Sequence, residues 1–189
     1  MSDFSNPLSA AADDPQRYTR AVLAVLGTQD PMAVLRATPE RLRQVVAGRS
    51  RDELRRPERP GKWSAVEVVQ HLADSELVWA YRIRRIVAED RPTITGYDQD
   101  RWATALAYRT VDIAHAVEEF DALRGANVRL LAGLPPTALA RVGLHSERGE
   151  ERLDHMMKLY AGHDLVHLRQ LARIFEAARG DRGAPLEGE

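Results

Sequence analysis

His163 and His167 stand one helical turn apart in the run Tyr-Ala-Gly-His-Asp-Leu-Val-His-Leu-Arg-Gln that spans positions 160–170. Two imidazoles at this spacing can hold a single metal ion from one helix face. The surrounding pattern predicts a helix from about Leu153 to Ala178, because Leu153, Met156, Tyr160, Leu171, Ile174 and Ala178 recur on one apolar stripe. At about 100° per residue, both histidines fall inside that stripe. A polar ring turned toward a hydrophobic interior is costly unless something satisfies it. A metal ion is one solution, and hydrogen bonds to other buried polar groups are the other.

A zinc-type centre wants three protein ligands and an open position, and a helix bundle draws its ligands from facing helices. His71 is the cross-helix candidate for the third ligand. Its own helix pattern places it only at the border of the apolar stripe, where a histidine by itself reads as a boundary residue. Glu67 and Asp74 share its side of the helix and could orient an imidazole or be solvated carboxylates. His115 and His155 fall off the stripes of their helices and are expected to be exposed. His145 lies on a connection that could fold over the site and receives no role. Gln170, one turn beyond His167, could bond near the site or be a surface amide. Tyr97, Asp98 and Trp102 are candidate pocket residues, or parts of a loop plugging the bundle end. His163-Asp164-Leu165-Val166-His167 also matches the zinc-protease pattern with Asp where the general-base Glu would stand. That reading is set aside, since Asp is one methylene shorter and no third ligand follows at the familiar spacing.

The elements that must position these residues are helical. Ala, Leu, Arg and Glu dominate, β-branched alternation is scarce, and the expected class is all-α. Residues 1–14 and 180–189 are polar tails expected to be disordered, flanking one domain over 15–179. Helical pattern begins near Pro15 and stops at Gly27. Asp30-Pro31 and Thr38-Pro39 each place a capping residue before a proline, so the first helix is expected to be interrupted twice. Residues 49–62 read as a charged loop. Its Gly61-Lys62 lacks the earlier glycine and the following Ser or Thr of a phosphate-binding loop. Ser64 with Glu67 forms a capping box, with Trp63 and Val68 as staple, and opens a helix to about Glu89. Val69, Leu72, Trp79, Ile83 and Val87 face inward on it. A third helix spans roughly Val111 to Ala132 with Ile113, Val117, Phe120, Leu123, Val128 and Leu131 inward. Long connections at 91–109 and 137–149 separate the helices, and connections of that length often line a site. The architecture expected is a four-helix bundle.

Trp63-Ser64, Glu67, His71-Leu72-Ala73-Asp74 and the later His163-x-x-x-His167-x-x-Gln170 together resemble the DinB/YfiT-like family of metal-binding four-helix bundles. The resemblance covers the chain from about Pro15 to Phe175. It implies up-down-down-up topology and one divalent metal held by His71, His163 and His167. Nickel, zinc, manganese and iron are the metals it suggests. It also implies thiol-dependent transfer or hydrolysis on a small-molecule substrate, and a homodimer as a common assembly.

The leading expectation is therefore a metal-dependent enzyme, a thiol transferase or a hydrolase. The alternative is a non-catalytic metal- or ligand-binding bundle of the stress response. The sequence holds no cysteine, so a thiol would have to be a low-molecular-weight co-substrate. With 27 basic and 28 acidic residues the net charge is −1, which gives no general attraction to nucleic acid. No apolar run approaches the roughly 18 residues of a membrane span. With no leader pattern at the N-terminus, a cytoplasmic protein is expected.

Overall fold

The computed structural model describes residues 14–180, with side chains through residue 177. The tails expected at 1–14 and 180–189 lie outside the described residues, apart from Asp14 and Gly180. Asp14 is the cap of the first helix, accepting the Gln16 and Arg17 amides.

Eight helices and a small sheet follow in order: α1 (Pro15–Leu26), α2 (Pro31–Val46), α3 (Arg51–Arg55), α4 (Ala65–Ala88), β1 (Thr93–Ile94), α5 (Gln99–Ala105), α6 (Ile113–Ala132), α7 (Pro136–Leu139), β2 (Val142–His145), β3 (Gly149–Arg152) and α8 (Leu153–Gly180). A 3-10 turn at Tyr108–Thr110 precedes α6. The bundle consists of α2, α4, α6 and α8, and α1 packs on α8.

Contacts between named residues set the direction of each helix. Val22 of α1 lies against Gly162 of α8. Leu35 O of α2 accepts from Arg124 and Arg43 pairs with Asp121, so α2 runs antiparallel to α6, and its Thr38 meets Asp164 of α8. On α4, His71 faces His163 and Trp79 stacks on Tyr160, so α4 runs antiparallel to α8. Gln70 approaches Glu119 and Glu76 approaches Arg124, so α4 and α6 are parallel. The topology is up-down-down-up.

One expected break is absent. Pro39 lies inside a continuous α2, and the restart predicted at Thr38-Pro39 does not occur. A proline there leaves the carbonyl four residues earlier without its amide partner. Arg124 Nη1 donates to that carbonyl, Leu35 O, at 3.0 Å, and the helix continues.

The connections hold more structure than the sequence pattern shows. Residues 49–62 contain α3, capped reciprocally by Ser50 and Glu53. The two long connections each contribute to one three-stranded sheet. In it β1 pairs parallel with β2 (Ile94 beside His145), and β2 pairs antiparallel with β3. Strands of two to four residues, several of them charged, give too little alternation to be read as strands.

The interior is not uniformly apolar. One cluster gathers Val22, Leu35, Trp79, Ile83, Leu131 and Met156, and a second gathers Leu42, Val69, Leu72, Phe120, Leu171 and Ile174. Between them a belt of buried polar side chains crosses the bundle, including Thr38, His71, Glu76, Arg124, Asn127, His163, Asp164 and His167. Four inward assignments on α6 change accordingly. Ile113, Val117, Leu123 and Val128 are only half-buried, while Arg124 and Asn127 are buried in their place. Arg124 donates to Glu76 at 2.9 Å and to both oxygens of Asp164 at 2.7 and 3.0 Å. Asn127 donates to Glu76 Oε1 at 2.8 Å. A buried charge is tolerable when it is paired and fully hydrogen-bonded, which no helical period reveals. On α4, Ile86 is buried and Val87 half-buried.

Candidate metal centre

α8 brings His163 and His167 to its inner face, where the helix is buried continuously from Leu159 to His167. Close packing here depends on Gly162, because a Cβ at that position would stand 2.5 Å from Val22 O. His71 enters from α4 and is 1% exposed rather than at a border. Its outer side is covered because α4 has neighbours beyond the bundle: the indole of Trp63 packs on the imidazole with ring centroids 5.0 Å apart, and Tyr108 of the 91–109 connection is buried beside the same helix.

The three rings converge through equivalent atoms. His163 Nε2 lies 3.2 Å from His71 Nε2 and 3.1 Å from His167 Nε2. His167 Nδ1 donates to Gln170 Oε1 at 2.9 Å, which leaves a lone pair on its Nε2. His163 Nε2 can then carry one proton or one in-plane lone pair, so it cannot satisfy both neighbours at once. A cation satisfies all three nitrogens together. Imidazole nitrogens held at 2.0–2.1 Å around a tetrahedral ion stand about 3.3 Å from one another, close to the spacings observed. Burial pushes all three imidazoles well below their ordinary value, His163 to about 3, with its neighbour Arg124 adding to the effect. Each is therefore neutral near pH 7, the form that ligates a metal. The donor set fits a divalent transition ion. The fit in the surrounding shell is partial, since Nδ1 of His71 and Nδ1 of His163 are buried without a hydrogen-bond partner.

The other candidates separate. Gln170 is buried and orients His167. Glu67 is buried but turned to its own helix start: Oε2 accepts the Ser64 amide and hydroxyl at 2.8 and 2.7 Å, and Oε1 accepts from Arg109. Asp74 accepts from Tyr108 and Gln70. Neither carboxylate orients His71. Asp98 is exposed and caps α5 by accepting the Arg101 amide at 2.9 Å, and Trp102 packs on the outer side of Tyr97. Both lie outside the cavity beside the histidines. His115 is exposed as expected, whereas His155 is half-buried. Asp164, in the protease pattern, is committed to Arg124 and Thr38.

A cavity of about 130 Å³ opens beside His71 and His163. One wall is the α4 face carrying His71, Ser75, Val78 and Arg82; the other is supplied by Tyr97, His145, Glu147 and Arg148 from the two connections. Ser75 Oγ lies 3.4 Å from His71 Nε2 and 2.8 Å from the Tyr97 hydroxyl. Ser75 and Arg82 received no role from the sequence. The available signal was their register with His71, at four and eleven residues beyond it, which keeps all three on one helix face.

The sequence profile of the DinB superfamily matches residues 35–171. The chain belongs to the DinB superfamily. Among relatives of known name, one from Geobacillus kaustophilus is 30% identical over 147 residues, covering 77% of this chain and 83% of its own, and is called "Putative metal-dependent hydrolase". YfiT of Bacillus subtilis bears the same description at 29% identity over 144 residues, with 74% of this chain and 81% of its own covered. The solved structure of YfiT superposes with a TM-score of 0.73 at 28% identity, covering 82% of this chain and 87% of that one. It is described as a probable metal-dependent hydrolase with an unusual four-helix bundle topology. Within the DinB superfamily, the bundle described above is thus the shared architecture, and metal dependence is what the names of these relatives state.

Proposed function

We propose that this DinB-superfamily chain is a metal-dependent hydrolase of a small molecule, with one divalent transition ion held by His71, His163 and His167 through Nε2. The observation that carries this reading is the approach of three buried, neutral imidazole nitrogens to 3.1 and 3.2 Å around one point, beside a cavity. When bound, such an ion supplies Lewis acidity, activating water and polarising an electrophile. The chain's own contribution is to hold the imidazoles in place. Gln170 fixes the tautomer and ring plane of His167, and Trp63 backs His71. Ser75 and Tyr97 pair through their hydroxyls beside His71 Nε2, where they can hold or pass a proton next to the reacting atoms. Val78, Trp79 and Leu159 limit water on the apolar side of the cavity.

A low-molecular-weight thiol would use the same open position as water, so thiol transfer is the neighbouring activity to assay. The deciding experiment is elemental analysis of the untagged protein with His71→Ala, His163→Ala and His167→Ala beside it. About one equivalent of transition metal is expected in the wild type and much less in each variant. Chelation should then abolish ester or amide hydrolysis, and the restored metal should return it. Wild-type protein that stays metal-free after incubation with nickel, zinc and manganese would end this reading.

A further inference from the structure

The cavity wall carries a buried cation with no ion-pair contact among the described residues. Arg82 is 7% exposed and lies about three helical turns along α4 from His71. Its Nη2 donates to Thr95 O at 2.6 Å, and its guanidinium stands 5.7 Å from the centre of the Trp79 ring. Among the described residues no carboxylate is in ion-pair contact with it. Buried arginines are ordinarily paired, as Arg124 is here with Glu76 and Asp164. The other charges near Arg82 are Arg148, Glu151 and Glu147. Arg148 is held by Glu151 at 2.5 and 3.0 Å, and the exposed Glu147 lies over Gly96.

A second group on the same wall also lacks a partner. His145 is 4% exposed, and its Nδ1 accepts the Glu147 amide at 3.2 Å. That bond places the proton on Nε2, whose N–H is buried without an acceptor. Burial, reinforced by Arg148, holds this imidazole down at about 4, so it stays a neutral donor near pH 7. The hydroxyls of Ser75 and Tyr97 are paired with each other, and Tyr18 adds a phenol to the wall. Apart from the exposed carboxylate of Glu147, the unspent groups on this wall are donors.

We propose that Arg82 and His145 form an anion subsite that takes a carboxylate of the substrate, presenting a small carboxylic-acid derivative to the three-histidine centre. One guanidinium and one imidazole N–H match the two oxygens of a carboxylate, whereas a phosphate dianion would bring more oxygens than these donors serve. The inference rests on the reading of this cavity as the reactive site, and it specifies the substrate class of that site.

The test is calorimetric titration of the full chain, in its metal-loaded and chelated forms, with butyrate, butyramide and inorganic phosphate. Metal content is measured on the same samples. Butyrate is expected to bind both forms and to outcompete its neutral isostere. Arg82→Gln should weaken butyrate about tenfold or more, and His145→Phe about fivefold, with butyramide unaffected. Butyrate binding lost in Arg82→Gln while the wild type proves metal-free would uphold the subsite and sink only the metal reading. Bound metal with butyrate no tighter than butyramide, or butyrate affinity unchanged in Arg82→Gln, overturns the subsite and leaves the metal reading standing. A preference for phosphate overturns the carboxylate assignment. If Arg82→Gln fails to fold, His145→Phe decides, and unchanged butyrate affinity in that variant overturns the proposal.

Discussion

Pro39 and Arg124 are joined through one carbonyl: Pro39 has no amide to give Leu35 O, and Arg124 Nη1 donates to it instead. The same guanidinium neutralises Glu76 and Asp164, so one side chain serves α2, α4 and α8 together. Arg124→Leu would strand two buried carboxylates and a carbonyl. Removing one member of a buried charge network costs about 3–5 kcal/mol. Urea unfolding should show a loss of that size; a loss below about 1 kcal/mol would mean the belt is not held by this residue.

Gly162 gives a prediction opposite to helix propensity. Gly162→Ala in a solvent-exposed helix would stabilise by up to about 1 kcal/mol. Here the added methyl meets the Val22 backbone, which cannot swing aside as a side-chain tip can. Net destabilisation of about 1–3 kcal/mol is expected from overpacking, read as a lowered midpoint of thermal or urea unfolding.

The Gln170–His167 bond should be visible in metal affinity. Gln170→Leu keeps the three imidazoles but removes the acceptor that orients one of them. Loss of such a partner typically weakens binding about 10–100-fold. Competition titration with a chromophoric chelator measures it directly, and an unchanged dissociation constant would show that packing alone orients His167.

His145 makes stability depend on pH in a definite direction. Its folded value of about 4 lies below the unfolded value of roughly 6.5. The neutral ring's contribution is complete above the unfolded value and is lost as pH falls through the window toward the folded one. Once solvent screening of the arginine part is allowed for, the loss at pH 5.5 is about 1 kcal/mol. In chelated protein, His145→Phe should therefore lose less stability between pH 7.5 and 5.5 than the wild type. Equal losses would show that His145 is not a neutral buried ring.

The long helices were legible because their apolar period is strong and their ends are marked. The capping sequence at Ser64 and Glu67 places the start of α4 correctly at Ala65. The pairing of His163 with His167 followed from one period, but His71 did not, since its burial depends on Trp63 and the 91–109 connection. The polar belt was hidden for the same reason. Arg124 reads as a polar interruption of α6 until Glu76 and Asp164 arrive from 48 and 40 residues away. Glu67 carried two meanings in the sequence, cap and imidazole partner, and the structure uses the first together with Arg109. The sheet was invisible because its strands are short and its pairing joins two connections, a non-local relation that alternation within either one cannot report.

That sheet also divides labour within the molecule. The histidines hang from two packed helices, while Tyr97 and His145 stand on segments tied to each other by the Ile94–His145 register. Changes of length in the β2–β3 turn can therefore reshape what the cavity accepts without disturbing the ligand nitrogens. Because the two roof segments are laced together, a displacement of one is carried to the other.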